Sequence, residues 1–289
     1  MSFPGKHILQ RGKHQLFLAY KPHRFRVAGL TEPLVRASHK LLPPRFDPED
    51  WAGSHVLHDE AVPTLPTSPI PRKLYLFWTG GNPLTPNRQR AIDSIRRHNP
   101  TIDVTLVTAD TLDDFLIPGV PLHPAYESLS FIHRADYLTA YAMHFHGGGT
   151  ADLKQATSSW APVFERMDAS TDAWLAGYRV PVRLMTPNMP DPRQEKVMRR
   201  FSEQRLGQTA YIARPGTPLT AEWWRALNVH LDRRYDELLA NPGNERGDNS
   251  AYPLHLNEIL AQIIDPLEIK HRMHLLYDER LMMNHNDYI

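Results

Sequence analysis

His133-Arg-Ala-Asp-Tyr-Leu-Thr-Ala-Tyr-Ala-Met-His-Phe-His-Gly-Gly-Gly-Thr-Ala-Asp-Leu-Lys154 is the stretch whose reading decides the fold. Few charges interrupt its first half, which predicts a buried helix over residues 129–145. Gly147, Gly148 and Gly149 stop that helix, because glycine takes the positive φ of a helix C-cap without steric cost. Residues 150–153 then read as a strand. One carboxylate, Asp136, falls near the start of the helix and a second, Asp152, just past the turn. Taken singly they have plain readings: Asp136 as a helix-dipole partner or an ion pair with Arg134, Asp152 as a turn former. Together in one short unit they suit a site that binds a metal or a sugar hydroxyl.

Working outward, Lys73-Leu-Tyr-Leu-Phe-Trp-Thr79 reads as a buried strand ending at Gly80-Gly81. Thr85-Pro86 is a helix entry, with threonine as cap and proline in the first turn. Ala91, Ile92 and Ile95 give that helix an apolar stripe, and Asn99-Pro100 ends it. Residues 103–108 form a second strand. A strand, a helix and a strand in this order predict a parallel pair with a right-handed crossover. Downstream, 160–167 reads as a short helix, and 172–175, 209–213 and 273–277 as strands. Residues 181–200 suggest an exposed loop with a mobile helix. Trp223, Trp224, Leu227, Leu231 and Leu238 follow helical spacing over 220–240. Residues 241–249 read as a loop and 256–264 as another helix. The class is α/β, with a mostly parallel central sheet flanked by helices.

The chain has 289 residues, no cysteine and a formal net charge of +1. Near-neutrality argues against a nucleic-acid-binding surface. The charge is not evenly spread. Lys6, Arg11, Lys13, Lys21, Arg24, Arg26, Arg36, Lys40 and Arg45 face only Glu32 in residues 1–45, a cationic arm suited to anionic lipid or to plain solvation. Pro63, Pro66, Pro69 and Pro71 stiffen the stretch that follows. The division expected is therefore a basic N-terminal extension with a proline-rich linker, 1–69, and one α/β domain, 70–289. No apolar run is long enough to span a bilayer, and charges break up Ile8, Leu9, Leu16, Phe17 and Leu18, so no signal-peptide core is read. These features set the expectation of a cytoplasmic protein, with the arm placing it at the inner face of the membrane.

No Gly-x-Ser-x-Gly, Walker or dinucleotide motif is present. His144 and His146 lie two apart and share no helix face, so they do not read as a metal pair. Trp78 closes the first strand. Ligands of open α/β sheets bind beyond the carboxyl ends of strands, so its indole reads either as a stacking platform or as a cap on the core.

The order of strand ending in Trp-x-Gly, helix to Asn-Pro, strand, Arg-Ala-Asp-Tyr-Leu and Gly-Gly-Gly-x-x-Asp-x-Lys resembles the capsular polysaccharide and family 32 glycosyltransferases. The glucosyltransferase domains of the large clostridial toxins are more distantly similar. The likeness covers about residues 70–160. It implies a nucleotide-sugar-binding fold of the GT-A kind. It also implies transfer of a sugar, with retention, from a nucleotide diphosphate donor to a glycan or glycolipid acceptor in surface polysaccharide synthesis. By the same resemblance Trp78 stacks on the donor base, Arg134 reaches the donor, and Asp136 contacts ribose or sugar hydroxyls. Asp152 is the first acid of an Asp-x-Asp motif that holds a divalent cation, manganese or magnesium. Two departures stand out. Lys154 replaces the second acid, and Thr139 stands where many relatives carry arginine. A weakly held ion on Asp152 and direct charge neutralisation by Lys154 are both open readings. Glu258, Asn284 and His285 are further candidates from the carboxyl third. Two other functions remain open on the sequence: a nucleotide-sugar-binding module without turnover, and a membrane-surface protein acting through its basic arm.

Overall fold

The computed structural model describes residues 29–58 (except 36 and 40), 69–181, 185–244 and 250–285. Among these, six strands form one mixed sheet in the order β2-β1-β3-β5-β4-β6. They are β1 (Lys73–Trp78), β2 (Asp103–Thr108), β3 (Gly148–Ala151), β4 (Leu175–Gly177), β5 (Ala210–Ala213) and β6 (Leu275–Tyr277). β1 pairs in parallel with β2 and with β3, and β4 in parallel with β6, while β5 runs against both of its neighbours. Five strands therefore point their carboxyl ends to one edge.

Along the central strands successive side chains enter two different buried cores, as the pleat requires. Tyr75, Phe77 and Tyr211 join the core on one face, and Leu74, Leu76 and Ile212 the core on the other. Helices α2 (Phe131–Tyr141), α5 (Pro218–Arg233) and α7 (Ala261–Lys270) cover the first face. Helices α1 (Pro86–His98) and α3 (Ala161–Ala169) cover the second. The Thr85 hydroxyl caps α1 by accepting from the Arg88 N–H at 3.3 Å. Asn99 closes it, and its side-chain oxygen accepts from the Trp160 N–H at 2.8 Å, which ties the end of α1 to the start of α3.

The decisive stretch folds as read, with one difference. α2 ends at Tyr141 and a π-helical turn, Ala142–His146, carries the chain to Gly147 at φ 66°. The two glycines that follow begin β3 earlier than expected. A Cβ on Gly148 would lie 2.7 Å from the Lys73 carbonyl oxygen, and one on Gly149 2.9 Å from the Leu74 side chain. The triple glycine thus serves close approach to β1 as well as the cap.

Other elements shift for tertiary reasons. The helix expected over 220–240 breaks at Arg234 into α5 and α6 (Tyr235–Ala240). The helix expected at 256–264 is α7 instead. Its Asp265 and Glu268 are fully buried. Within 181–200, α4 (Pro192–Arg200) packs Val197 and Met198 against Trp51. Trp51 and Val56, from the stretch assigned to the extension, join buried clusters. Arg225 donates to the His55 and Val56 carbonyls at 2.8 and 3.0 Å, and Lys270 to that of His58 at 2.9 Å. The first 28 residues and the linker at 59–68 lie outside the described residues.

Candidate functional site

The carboxyl edge of the sheet gathers residues far apart in sequence. Trp78 ends β1 half-buried, and its indole N–H donates to the Asn82 carbonyl at 2.8 Å. Parallel to it, β3 delivers Asp152, whose N–H donates to the Thr209 carbonyl at 2.8 Å. A tight turn follows, with the Lys154 N–H on the Asp152 carbonyl at 2.7 Å. That turn folds the Lys154 ammonium back onto the Asp152 carboxylate. The two side chains are unequally placed: Lys154 is 10% exposed and Asp152 48%. Arg88 of α1 braces the turn by donating to the Leu153 carbonyl at 2.8 Å.

Asp136 of α2 belongs to this group. Burial pushes its carboxyl well above the ordinary range. The Asp152 charge raises it further and Lys154 opposes both. Its side chain keeps a window to solvent although protein crowds it. Among the described residues no hydrogen bond satisfies this carboxylate. A desolvated acid without a hydrogen-bonding protein partner, beside a second acid and a buried ammonium, is unfavourable for stability and typical of a ligand site.

The segment 281–285 reaches the same place. Asn284 pairs with Gln155 as a β-bridge, its N–H on the Gln155 carbonyl at 2.9 Å. Leu281 and Met283 anchor this segment in the core. His285 is thereby exposed to the opposing charges of Lys154 and Asp152, and its pKa is lowered, first by burial and then by Lys154.

Arg134 is engaged nearby but differently. It is ion-paired with Glu127 at 2.9 Å, donates to the Leu129 carbonyl at 3.2 Å and stacks over Phe131 and Tyr126. Phe131 in turn packs against Gly80, where any Cβ would collide with its ring. Arg134 therefore braces the junction between the end of β1 and the start of α2. Glu258 is not brought into the Asp136–Asp152 group. His230 and Arg234 hold it at 2.9 and 3.5 Å, beside a cavity of about 430 Å³ that His55 and Arg233 also line. Tyr252 stands between the two regions and feels both Asp136 and Glu258. Tyr178, whose hydroxyl meets that of Thr209 at 3.2 Å, feels Asp152. No local pattern marks Tyr252, Tyr178 or Arg88 in the sequence, because each is placed by packing.

Among the described residues no three His, Asp or Glu side chains group as metal ligands. Asp152 is already neutralised by Lys154, and Asp136 is held toward its protonated form. Among the described residues these side chains form no all-protein ion cage, whereas a magnesium ion held by one or two carboxylates, waters and donor phosphates needs none. Compared with protein-family models, with curated proteins and with solved structures, the chain matches none.

Proposed function

We propose that this protein is a glycosyltransferase with a GT-A-like fold, moving a sugar from a nucleotide diphosphate donor to a glycan or glycolipid acceptor. The observation that carries this reading is Asp136, a crowded carboxylate with no hydrogen-bonding protein partner among the described residues, near the Asp152–Lys154 pair at the carboxyl edge of the strands. In this reading Trp78 stacks on the base and Asp136 accepts from a ribose or sugar hydroxyl. Arg134 positions the turn between them. As the glycosidic bond breaks, positive charge grows on the sugar and negative charge on the departing diphosphate. Lys154 meets that negative charge with an ammonium already in place, where low solvation strengthens the attraction. Asp152 orients the ammonium, and Asn284 and His285 close the site from the terminus. No side chain is assigned as nucleophile.

The test is a thermal-shift panel of UDP- and GDP-sugars, followed by donor turnover with and without chelator. A ligand that binds the folded state raises the melting temperature. The reading expects a shift with one donor class and turnover indifferent to chelator. Binding without turnover on any acceptor or water would make the chain a nucleotide-sugar-binding module. No shift with any donor removes the proposal.

A further inference from the structure

Residues 29–35, 37–39 and 41 are helical, and the two sides of this helix are inverted. At about 100° per residue, Leu30, Leu34, Ala37 and Leu41 share one side. All four are exposed, the leucines at 78%, 73% and 82%, and Leu42 beyond them at 81%. Thr31, Glu32, Val35 and His39 share the other side and are buried or half-buried, Glu32 at 4%. A helix resting on a protein turns its apolar stripe inward. Here a carboxylate is turned in and leucines out, so the stripe is presented to something outside the folded body.

We propose that this helix docks the protein on an anionic bilayer surface. Charge decides among occupants. Residues 1–45 hold nine of the 33 lysines and arginines and one of the 32 acids, so the remaining chain is net acidic. A leucine stripe inside the one strongly cationic part of the sequence complements anionic headgroups over acyl chains. A second copy carries the same cationic sequence, so charge favours an anionic surface over self-pairing. Residues 29–41 are too few to cross a hydrocarbon layer of about 30 Å even if fully helical, so the stripe lies in the interface. Apolar area and basic charge act as two signals, as stable peripheral attachment requires. The docking does not depend on the reaction assigned above.

The full-length protein is sedimented with vesicles of phosphatidylcholine alone and with vesicles holding roughly one-third phosphatidylglycerol. Expected are pelleting with the anionic vesicles only, loss of pelleting in about 0.5 M salt, and about tenfold weaker binding for the double variant Leu30→Gln, Leu34→Gln. Both leucines face solvent, so the variant keeps the wild-type melting temperature and any donor-induced shift. Equal pelleting of variant and wild type would leave the stripe without a part in binding and overturn the proposal. Pelleting independent of lipid charge, or no pelleting together with a leucine-dependent dimer on sedimentation velocity, would overturn it equally.

Discussion

Lys154 and Arg205 are both buried cations paired with an aspartate, and both pairs touch the start of β5. Gln208 donates to Asp265 at 2.8 Å, and the next carbonyl, of Thr209, accepts from the Asp152 N–H at 2.8 Å. The surroundings differ. The Arg205–Asp265 pair is closed, at 1% and 0% exposure. Thr186 also meets Arg205, at 3.2 Å, and Glu268 accepts from the Leu206 N–H at 2.7 Å. At the sheet edge, Lys154 is buried but its partner is half open, and Asp136 nearby has no hydrogen-bond partner among the described residues. A buried ion pair is therefore not in itself a sign of function. The sign is charge left incompletely answered where a ligand can reach it.

This comparison can be broken by mutation. Arg205→Ala leaves Asp265 and Glu268 in a closed site, and the expected loss is about 3–5 kcal/mol in a urea melt. A loss below about 1 kcal/mol would mean that the pair is not closed. Lys154→Ala is expected to keep the fold and lower turnover by about 10²- to 10³-fold, read as kcat on the donor found by thermal shift. If the variant stays active while chelator silences the wild type, a metal rather than the lysine carries the charge. Trp78→Ala is expected to weaken donor binding by roughly 1–3 kcal/mol in calorimetry. Unchanged affinity in a folded variant takes Trp78 out of the site.

The smallest effect separates the two regions by pH. A carboxyl whose folded pKa is raised binds its proton where the unfolded chain has released it. Stability then falls as pH rises from the ordinary carboxylate range through the folded pKa. Asp136→Asn removes this penalty. The variant is expected to match the wild type below about pH 4 and to be more stable than it at neutral pH, while donor binding is lost. Equal stability at both pH values would show that Asp136 is not strained.

Much of the fold was legible because it rests on local rules. Thr85-Pro86 and Asn99-Pro100 bound α1 by capping and by the missing proline N–H, and short apolar runs mark β1 and β2 as strands. The acids of the candidate site, Asp136 and Asp152, stood out for the glycines between them. What local rules missed follows from burial. Nothing in the sequence marks Asp265 and Glu268 as buried, because it cannot announce that Arg205 and the Leu206 N–H will meet them inside.

The sequence by itself determined that strand, helix and strand would form a parallel unit. It also determined that three glycines would bring Asp152 to a strand end, since backbone sterics and hydrophobic periodicity act over a few residues. Only the tertiary structure decided that β5 runs against its neighbours and that Asn284 and His285 return to Gln155. It alone buried the Lys154 ammonium while leaving the Asp136 carboxylate without a hydrogen-bonding partner among the described residues, and turned Leu30, Leu34 and Leu41 outward. Each of these depends on contacts across many residues, where the desolvation of a charge is set by which surfaces meet.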